Sequence, residues 1–453
     1  MQNILGEYRK SKLKATDSGD SMDAEKALKI LMKSADEAEV FFSKGISNDV
    51  GIKKGRIETF KGSSHFGYGV RVIKDKKMGF AFSNNLDEKV LQRAIDMAKI
   101  GERDEFLSLP GKQKYNRAGT YDKKIAELEV EDAMEFAKIL VGPCESYNVI
   151  PTTGVISWSF SEVGIWNSNG IAGTDKATAC ACYLNTVAEG KSSGFYCDVS
   201  RALDLDFAGV GKEAARLARD SLNAKEIGVL TANLILKPHA AAELFENVLI
   251  PSFSADNVQR KRSVLAGKLG ERVFSEKLSI IDDGTIKHGL STAKFDAEGV
   301  KSQRTELVKK GALKSYLHDT YTANKGKAKS TGSAERDSYA SLPRIDSSNF
   351  IVSGNSVRKL VCMPSSLRKS GRIGEEGLVV HGLIGAHTSN FVSGDFSVET
   401  RNAFLNGKPV KKAIISGNIF DVLNKIEGFG RDYRQVSSVR APTIQFKDVR
   451  VVS

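Results

Sequence analysis

Residues 155–184 read VISWSFSEVGIWNSNGIAGTDKATACACYL, and apolar and polar residues alternate on both sides of Asn169 and Gly170. A period of two is typical of a half-buried β-strand. Asn and Gly both tolerate a positive φ, so the Asn169-Gly170 pair predicts a two-residue hairpin turn. The stretch therefore predicts antiparallel strands, at 155–160, 163–166 and 178–184.

The same period recurs on both sides of this stretch. Further strands are predicted at 40–42, 50–52, 56–60, 68–73, 78–82, 230–236, 350–352, 378–383, 395–400, 403–405, 412–415 and 444–446. A second turn pair, Asn406-Gly407, lies in the C-terminal third. Apolar residues at helical spacing predict helices at 27–35, 86–98, 130–140, 207–222, 238–249 and 419–426. Antiparallel hairpins with a few packed helices favour an α+β class over a doubly wound parallel sheet.

The order of these segments predicts a flexible polar tail and three folded units. The tail covers 1–22, and an N-terminal α+β domain covers 23–103. A polar segment with Pro110-Gly111 separates it from a central α+β domain at 115–225. A β-rich C-terminal domain at 229–453 completes the chain, whose 453 residues suit two to four domains.

Composition excludes several classes of protein. No window approaches the roughly 18 uninterrupted apolar residues of a membrane span. The five Cys are irregularly spaced and the N-terminal segment has no apolar core of signal-peptide length, which together predict a cytoplasmic protein without a disulfide framework. The net charge is +12, and a basic stretch at 301–344 could steer acidic peptides, although no aromatic residues alternate with its charges as in a nucleic-acid platform.

The most informative candidate site is KPHAAAEL at 237–244. His239 and Glu243 are four residues apart on a predicted helix, so they share one face and could supply two metal ligands. A zinc hydrolase needs a third ligand and a carboxylate that activates water, and the neighbour of His239 is Ala240. The competing interpretation is a helix start whose His and Glu form local hydrogen bonds.

Other chemistry-bearing residues are interpreted as structural. Cys180 and Cys182 lie on one face of a predicted strand, but no second pair follows at zinc-site spacing. His381 and His387 are predicted to be core or surface histidines. No catalytic residue and no peptide-binding residue is predicted from these patterns.

Short motifs in a fixed order give the chain a specific resemblance over residues 24–453. They are ADEAEV at 35–40, GYGVRVI at 67–73, MGFA at 78–81, SNG at 168–170, SVLAGKLGE at 263–271, FDAEGV at 295–300, STG at 330–332, GLVV at 377–380, SGDFS at 393–397 and ISGN at 415–418. With these motifs the chain resembles the TldD/PmbA family, and specifically its PmbA (TldE) branch.

The resemblance implies a two-part metallopeptidase that cuts unfolded peptides. The TldD-type subunit carries zinc on an H-E-x-x-x-H helix and a later Cys, and the family is also named for modulation of DNA gyrase. In this chain His239 matches the first motif His, Ala240 and Leu244 replace the Glu and the second His, and no Cys follows Cys362. The resemblance thus implies no metal and no cofactor in this chain, and zinc only in a TldD-type partner.

These inferences predict a PmbA/TldE-like subunit that binds substrate and assembles with a TldD-type protein, as a heterodimer or larger complex, or that forms a homodimer. Unfolded peptides are the expected substrates, and neither a membrane nor a nucleic acid is an expected partner. One alternative is a divergent metallopeptidase that uses His239 and Glu243 with a further ligand. Another is a non-enzymatic homo-oligomer that binds peptides or nucleic acid.

Overall fold

The computed structural model describes residues 22–354 and 376–453. Apart from Met22, the predicted N-terminal tail lies outside the described residues, as does Cys362. The predicted α+β class, with antiparallel sheets and a β-rich C-terminal part, is confirmed. Among the described residues, no helix has both the length and the apolar composition needed to cross a bilayer.

Six long antiparallel strands form the first sheet, in the order β3-β2-β1-β4-β5-β6. Their bounds are β1 Glu37–Lys53, β2 Arg56–Lys74, β3 Lys77–Ser83, β4 Ile150–Asn167, β5 Ala172–Ala188 and β6 Ser192–Ser200. The central pair β1–β4 joins the predicted 23–103 and 115–225 units in one sheet. The domain boundaries themselves stay predictions.

The strands are longer than the sequence predicts. The separate predictions at 40–42 and 50–52 belong to the single strand β1, and those at 56–60 and 68–73 belong to β2. The residues between them, such as Gly45 and Ser47, have poor strand propensity. They are held in the ladder because β1 pairs on both sides, with β2 and with β4.

The two predicted Asn-Gly turns have different outcomes. At Asn406-Gly407 both residues have positive φ, at 49° and 78°, as a two-residue hairpin requires. The two-residue turn predicted at Asn169-Gly170 is wrong, because β4 and β5 are joined by the four residues 168–171. The Asn167 side chain accepts hydrogen bonds from the N–H groups of Asn169 (3.0 Å) and Ile171 (2.9 Å), which stabilises the longer loop.

Ten α-helices occur among the described residues. They are α1 Ala24–Leu31, α2 Glu88–Ile100, α3 Lys123–Ala126, α4 Val130–Val141, α5 Pro143–Ser146, α6 Phe207–Asp220, α7 Pro238–Leu244, α8 Ala255–Gln259, α9 Thr320–Lys325 and α10 Ile419–Asn424. Two pairs of them cover one face of the first sheet. The pair α1 and α2 packs at one end, on Val40 and Val70, and the pair α4 and α6 packs at the other, on Val50 and Ile156. Gly79 lets α2 approach β3, since a Cβ there would lie 2.0 Å from the Ala94 carbonyl oxygen.

The C-terminal part contains a closed barrel and a second sheet around one apolar core. Its strands are β7 Val229–Leu236, β8 Ser279–Asp283, β9 Arg304–Lys309, β10 Ala312–Leu313, β11 Ala334–Glu335, β12 Arg344–Ile345, β13 Phe350–Ser353, β14 Leu378–Ile384, β15 Asp395–Leu405, β16 Lys408–Val410, β17 Ile414–Asn418, β18 Ile426–Phe429, β19 Arg434–Val436, β20 Val439–Ala441 and β21 Ile444–Val452. The barrel runs β14-β7-β21-β17-β15 and closes through β15–β14 pairing. The second sheet has the order β10-β9-β8-β13-β20-β19.

The helix predicted at 238–249 is shorter than expected. The α-helix α7 ends at Leu244, a π-helical turn covers Phe245–Leu249, and a 3₁₀ turn covers Ile250–Phe253. Pro251 has no N–H and its ring clashes with the carbonyl group four residues earlier in a regular helix. The backbone therefore leaves α-helical geometry before the proline.

The face of the first sheet that the helices do not cover packs against loops of the C-terminal part. Phe41 of β1 and Ile165 of β4 form a small apolar cluster with Phe295. Beside it, Arg71 donates hydrogen bonds to Glu39 (2.7 Å) and to Glu298 (3.1 Å), and Arg336 forms an ion pair with Glu39. All four side chains are almost completely buried. This network fixes the first sheet against the C-terminal part.

Candidate functional site

His239 lies at the contact between the two halves of the molecule. It is the second residue of α7, and Pro238 occupies the first helical position, where its missing N–H costs nothing. This end of α7 meets β6, the edge strand of the first sheet.

The His239 ring acts as a hydrogen-bond donor. Its Nε2 lies 3.1 Å from the backbone carbonyl oxygen of Cys197 on β6. A carbonyl oxygen only accepts, so Nε2 carries the proton. The ring also packs on Tyr196, with the centroids 4.8 Å apart. Burial, followed by the charge of Arg434, lowers the pKa of His239 to about 4, and the ring is neutral near pH 7.

Glu243 is engaged elsewhere, although it shares the helix with His239. Its carboxylate accepts a hydrogen bond from Arg401 on β15 at 2.7 Å and from the Leu383 N–H on β14 at 2.5 Å. Burial raises the pKa of Glu243, and the Arg401 charge opposes that shift. The guanidinium of Arg401 lies over the Phe195 ring, 4.3 Å from its centroid. Glu243 therefore connects α7 to the barrel, and its partner Arg401 connects the barrel to β6.

The other two positions of the family motif face the apolar core. Ala240 and Leu244 are both 0% exposed and belong to the core of the C-terminal part. Within residues 22–354 and 376–453, no group of three or more His, Cys, Asp or Glu is arranged to hold a metal ion. Glu243 is paired with Arg401, and His239 can offer only Nδ1 because its Nε2–H donates to Cys197, so the donor set does not fit a catalytic zinc ion.

The structure brings further charged and aromatic residues to His239 that the sequence did not point to. A cavity of about 310 Å³ beside it is lined by Tyr196, Asp198, Asp206, Gly209, Val210, Glu213, Lys237, Pro238, His239, His381, Asp432 and Arg434. These residues come from α6, α7, β6, β14 and the region of β19, so no local spacing could have indicated them. Arg434 forms an ion pair with Asp198 (3.4 Å), and Glu213 forms one with Arg216 (2.7 Å).

The other histidine and cysteine candidates from the sequence are His381, His387, Cys180 and Cys182. His381 lines the same cavity as His239, and burial lowers its pKa to about 3. His387 is exposed in a 3₁₀ turn. Burial raises the pKa of Cys180 to about 12, and that of Cys182 rises for the same reason, so both thiols are protonated near neutral pH.

Stability should fall as the pH is lowered from about 6.5 to about 4. In this range an unfolded chain binds protons on histidines with an ordinary pKa, whereas folded His239, with a pKa of about 4, resists protonation. Stability present above about pH 6.5 is therefore lost progressively toward pH 4. His239→Gln keeps an amide donor for the Cys197 carbonyl oxygen and removes one titrating group, so its loss should be smaller. Urea denaturation between about pH 4 and 7 measures the difference.

The matched control is His288→Gln, because His288 is exposed. This variant should follow the pH dependence of the unmodified chain. Equal pH slopes for His239→Gln and the unmodified chain would contradict the assignment.

Three models of one protein family match successive parts of the chain. PmbA/TldA metallopeptidase domain 1 matches residues 38–99, the central domain of that family matches 121–222, and its C-terminal domain matches 230–453. An uncharacterized protein of Methanocaldococcus jannaschii is 35% identical over 94% of this chain and 99% of its own length. A metalloprotease TldD homolog of Buchnera aphidicola is 26% identical over 88% of this chain and 86% of its own length. The crystal structure of TldE from Thermococcus kodakarensis superposes with a TM-score of 0.84, at 26% identity over 95% of this chain and 99% of that one.

Proposed function

We propose that the chain, which belongs to the PmbA/TldD metallopeptidase family, is a non-catalytic subunit that acts with a TldD-type partner on unfolded peptides. One observation carries the proposal. On α7, His239 donates to a backbone carbonyl and Glu243 pairs with Arg401. Ala240 and Leu244, at the positions where the family motif has its Glu and its second His, are buried in the core.

The same contacts weigh against a divergent metallopeptidase that uses His239 and Glu243. A metal at this helix would require Glu243 to leave Arg401, and a partly buried guanidinium would then lose its carboxylate partner. The Nε2–H of His239 donates to the Cys197 carbonyl oxygen, so only Nδ1 of this ring could ligate a metal, and a catalytic zinc needs three protein ligands. The loss of the Glu243–Arg401 pair and the shortage of ligands both oppose metal binding.

Three of the cations in the basic stretch are not free to bind a phosphate. In the basic stretch 301–344, the Arg336 side chain is buried against Glu39. Arg344 pairs with Asp337 and Asp346, and Lys309 pairs with Glu306. Cations that are buried or paired with carboxylates contribute less to a phosphate-binding surface than free ones.

A peptide could add to the first sheet at β3. The other edge, β6, is covered by the C-terminal part, because Asn402 donates to the Ser193 carbonyl oxygen (2.7 Å) and His239 donates to that of Cys197. Among the described residues, β3 pairs with β2 on one side and, on the other, only through the bridge Lys77–Arg103. Main-chain pairing at an open edge binds extended peptides with little dependence on sequence.

The test is to purify the chain alone and together with a TldD-type partner, then measure bound zinc and cleavage of an unfolded polypeptide. We expect neither zinc nor cleavage for the isolated chain, and both for the complex. The double variant His239→Gln/Glu243→Gln, combined with the partner, should retain cleavage. Stoichiometric zinc and cleavage in the isolated chain, both abolished by His239→Ala, would refute the proposal.

A further inference from the structure

The register of the hairpin β2–β3 determines which backbone groups point out of the first sheet at its β3 edge. The two residues of the turn 75–76 have positive φ, at 49° and 59°. In such a turn the pair that flanks it exchanges the first hydrogen bonds of the ladder. Bonded and non-bonded pairs then alternate, so three residues of β3 direct their N–H and C=O groups away from β2, namely Met78, Phe80 and Phe82.

The first of these three positions is covered by the chain that follows α2. A Cβ on Gly101 would lie 2.8 Å from the Met78 carbonyl oxygen and 3.5 Å from the Met78 nitrogen. This contact also shows that the groups of Met78 face outward, as the register requires. Within residues 22–354 and 376–453, no strand or bridge covers Phe80 or Phe82 on this side. The free part of the edge is therefore the end of β3 that carries these two residues.

The side chains of Phe80 and Phe82 lie on the face of the sheet that the helices do not cover. Alternate residues of a strand face opposite sides, and Gly79 meets α2. Phe82 is 51% exposed, and its ring lies 6.2 Å from that of Phe80. Tyr339 extends the row, because its ring lies 6.4 Å from that of Phe82 and occupies the space that the absent Cβ of Gly67 leaves. A partly exposed aromatic row thus borders the free edge.

We propose that this edge binds an extended peptide as an antiparallel seventh strand and selects large apolar side chains at two alternate positions of that peptide. The peptide residues opposite Phe80 and Phe82 would exchange main-chain hydrogen bonds with them. Their side chains would point to the same face as the two rings and pack beside them, as cross-strand apolar pairs do. The inference rests on the proposed function, to which it adds a class of peptide.

The length of the free edge favours a peptide over a second copy of this chain. Residues 80–83 span about 13 Å at about 3.3 Å per residue. Stable interfaces between proteins bury about 1,200–2,000 Å² in total, which is far more than one strand pairing of this length supplies. Two residues that each offer one donor and one acceptor suit a short segment of a peptide.

Calorimetric titration of the full chain with two capped peptides tests the side-chain preference. One peptide carries two phenylalanines separated by a single polar residue, within an otherwise polar sequence, and the other carries serine at both positions. We expect saturable binding of the first and binding of the second that is weaker by about fivefold or more, because two apolar cross-strand pairs are lost. Equal affinities, or no saturable binding of the first, would overturn the proposal.

Two methylated forms of the phenylalanine peptide test the main-chain pairing. One is methylated on the amide nitrogens of both phenylalanines, and its matched control is methylated on two polar residues that alternate with them. Antiparallel pairing turns the phenylalanine amides toward β3, so the first form should not bind. The control should bind nearly as well as the unmodified peptide, because its methyl groups point away from β3. Similar affinities of the two forms, or loss of binding in the control alone, would refute the assigned register.

Variants of the chain test the position of the site. Phe82→Ser should weaken binding of the phenylalanine peptide about threefold or more, whereas Phe82→Leu keeps an apolar side chain and should retain most of the affinity. Ile100→Ser is the matched control, because Ile100 is 77% exposed at the end of α2, which packs on the opposite face of the sheet. Unchanged affinity in Phe82→Ser, or an equal loss in Ile100→Ser, would remove the site from this edge.

Two further outcomes separate this inference from its alternatives. A concentration-dependent dimer in sedimentation that Phe82→Ser dissociates, without peptide binding, would assign the edge to a second copy and overturn the inference. Peptide cleavage by the complex with a TldD-type partner, without binding at β3, would overturn the inference and leave the proposed function intact. Zinc and cleavage in the isolated chain, together with binding at β3, would overturn only the non-catalytic role.

Discussion

Replacing Arg71 by alanine should lower the free energy of unfolding by about 3–5 kcal/mol, the range observed when one partner of a buried ion pair is removed. Arg71 bridges Glu39 and Glu298, and all three side chains are at least 90% buried. Without the guanidinium, buried Glu298 loses its ion-pair partner and buried Glu39 keeps only Arg336. Urea denaturation at neutral pH measures the loss.

The control for Arg71→Ala is Arg103→Ala. Arg103 pairs with Glu105, but both side chains are more than 60% exposed. Exposed pairs contribute about 0–1 kcal/mol, so this variant should have nearly the same free energy of unfolding as the unmodified chain. Similar losses in the two variants would show that the buried network does not hold the sheet against the C-terminal part.

The Arg71 network also shows what the sequence could not predict. Its members are 32, 227 and 297 residues apart in the pairs Arg71–Glu39, Arg71–Glu298 and Arg336–Glu39. No periodicity links such positions. Local patterns instead predicted the α+β class and the hairpin at Asn406-Gly407, because strand alternation and positive φ depend on neighbouring residues.

At the candidate site, too, the sequence predicted local features but not the contacts between distant residues. The sequence identified α7 as the informative helix and showed that Ala240 and Leu244 cannot ligate a metal. It could not show that His239 contacts Cys197, since this bond joins a helix residue to an edge-strand residue 42 positions earlier. It also gave no reason to connect Glu243 with Arg401, 158 residues later. Tertiary contacts decide what these side chains do.

Restoring the motif on α7 should not restore a metal site. We expect the double variant Ala240→Glu/Leu244→His to bind no stoichiometric zinc and to lose about 3–5 kcal/mol of unfolding free energy. Both positions are 0% exposed, and their neighbours in the core are apolar. A carboxylate at 240 would be buried among apolar side chains without a hydrogen-bond donor placed to meet it. An imidazole at 244 would replace a packed aliphatic side chain.

Two measurements separate the causes of this loss. Zinc analysis reports whether ligands assemble, and denaturation reports the cost of the buried groups. Ala208→Glu is the matched control, since Ala208 is exposed in the first turn of α6, where a carboxylate suits the helix dipole. It should change stability by no more than about 0.5 kcal/mol. If the double variant instead bound zinc tightly and kept its stability, the helix would be a metal site lacking only two side chains. The conclusion that the surroundings of α7 do not suit a metal would then have to be abandoned.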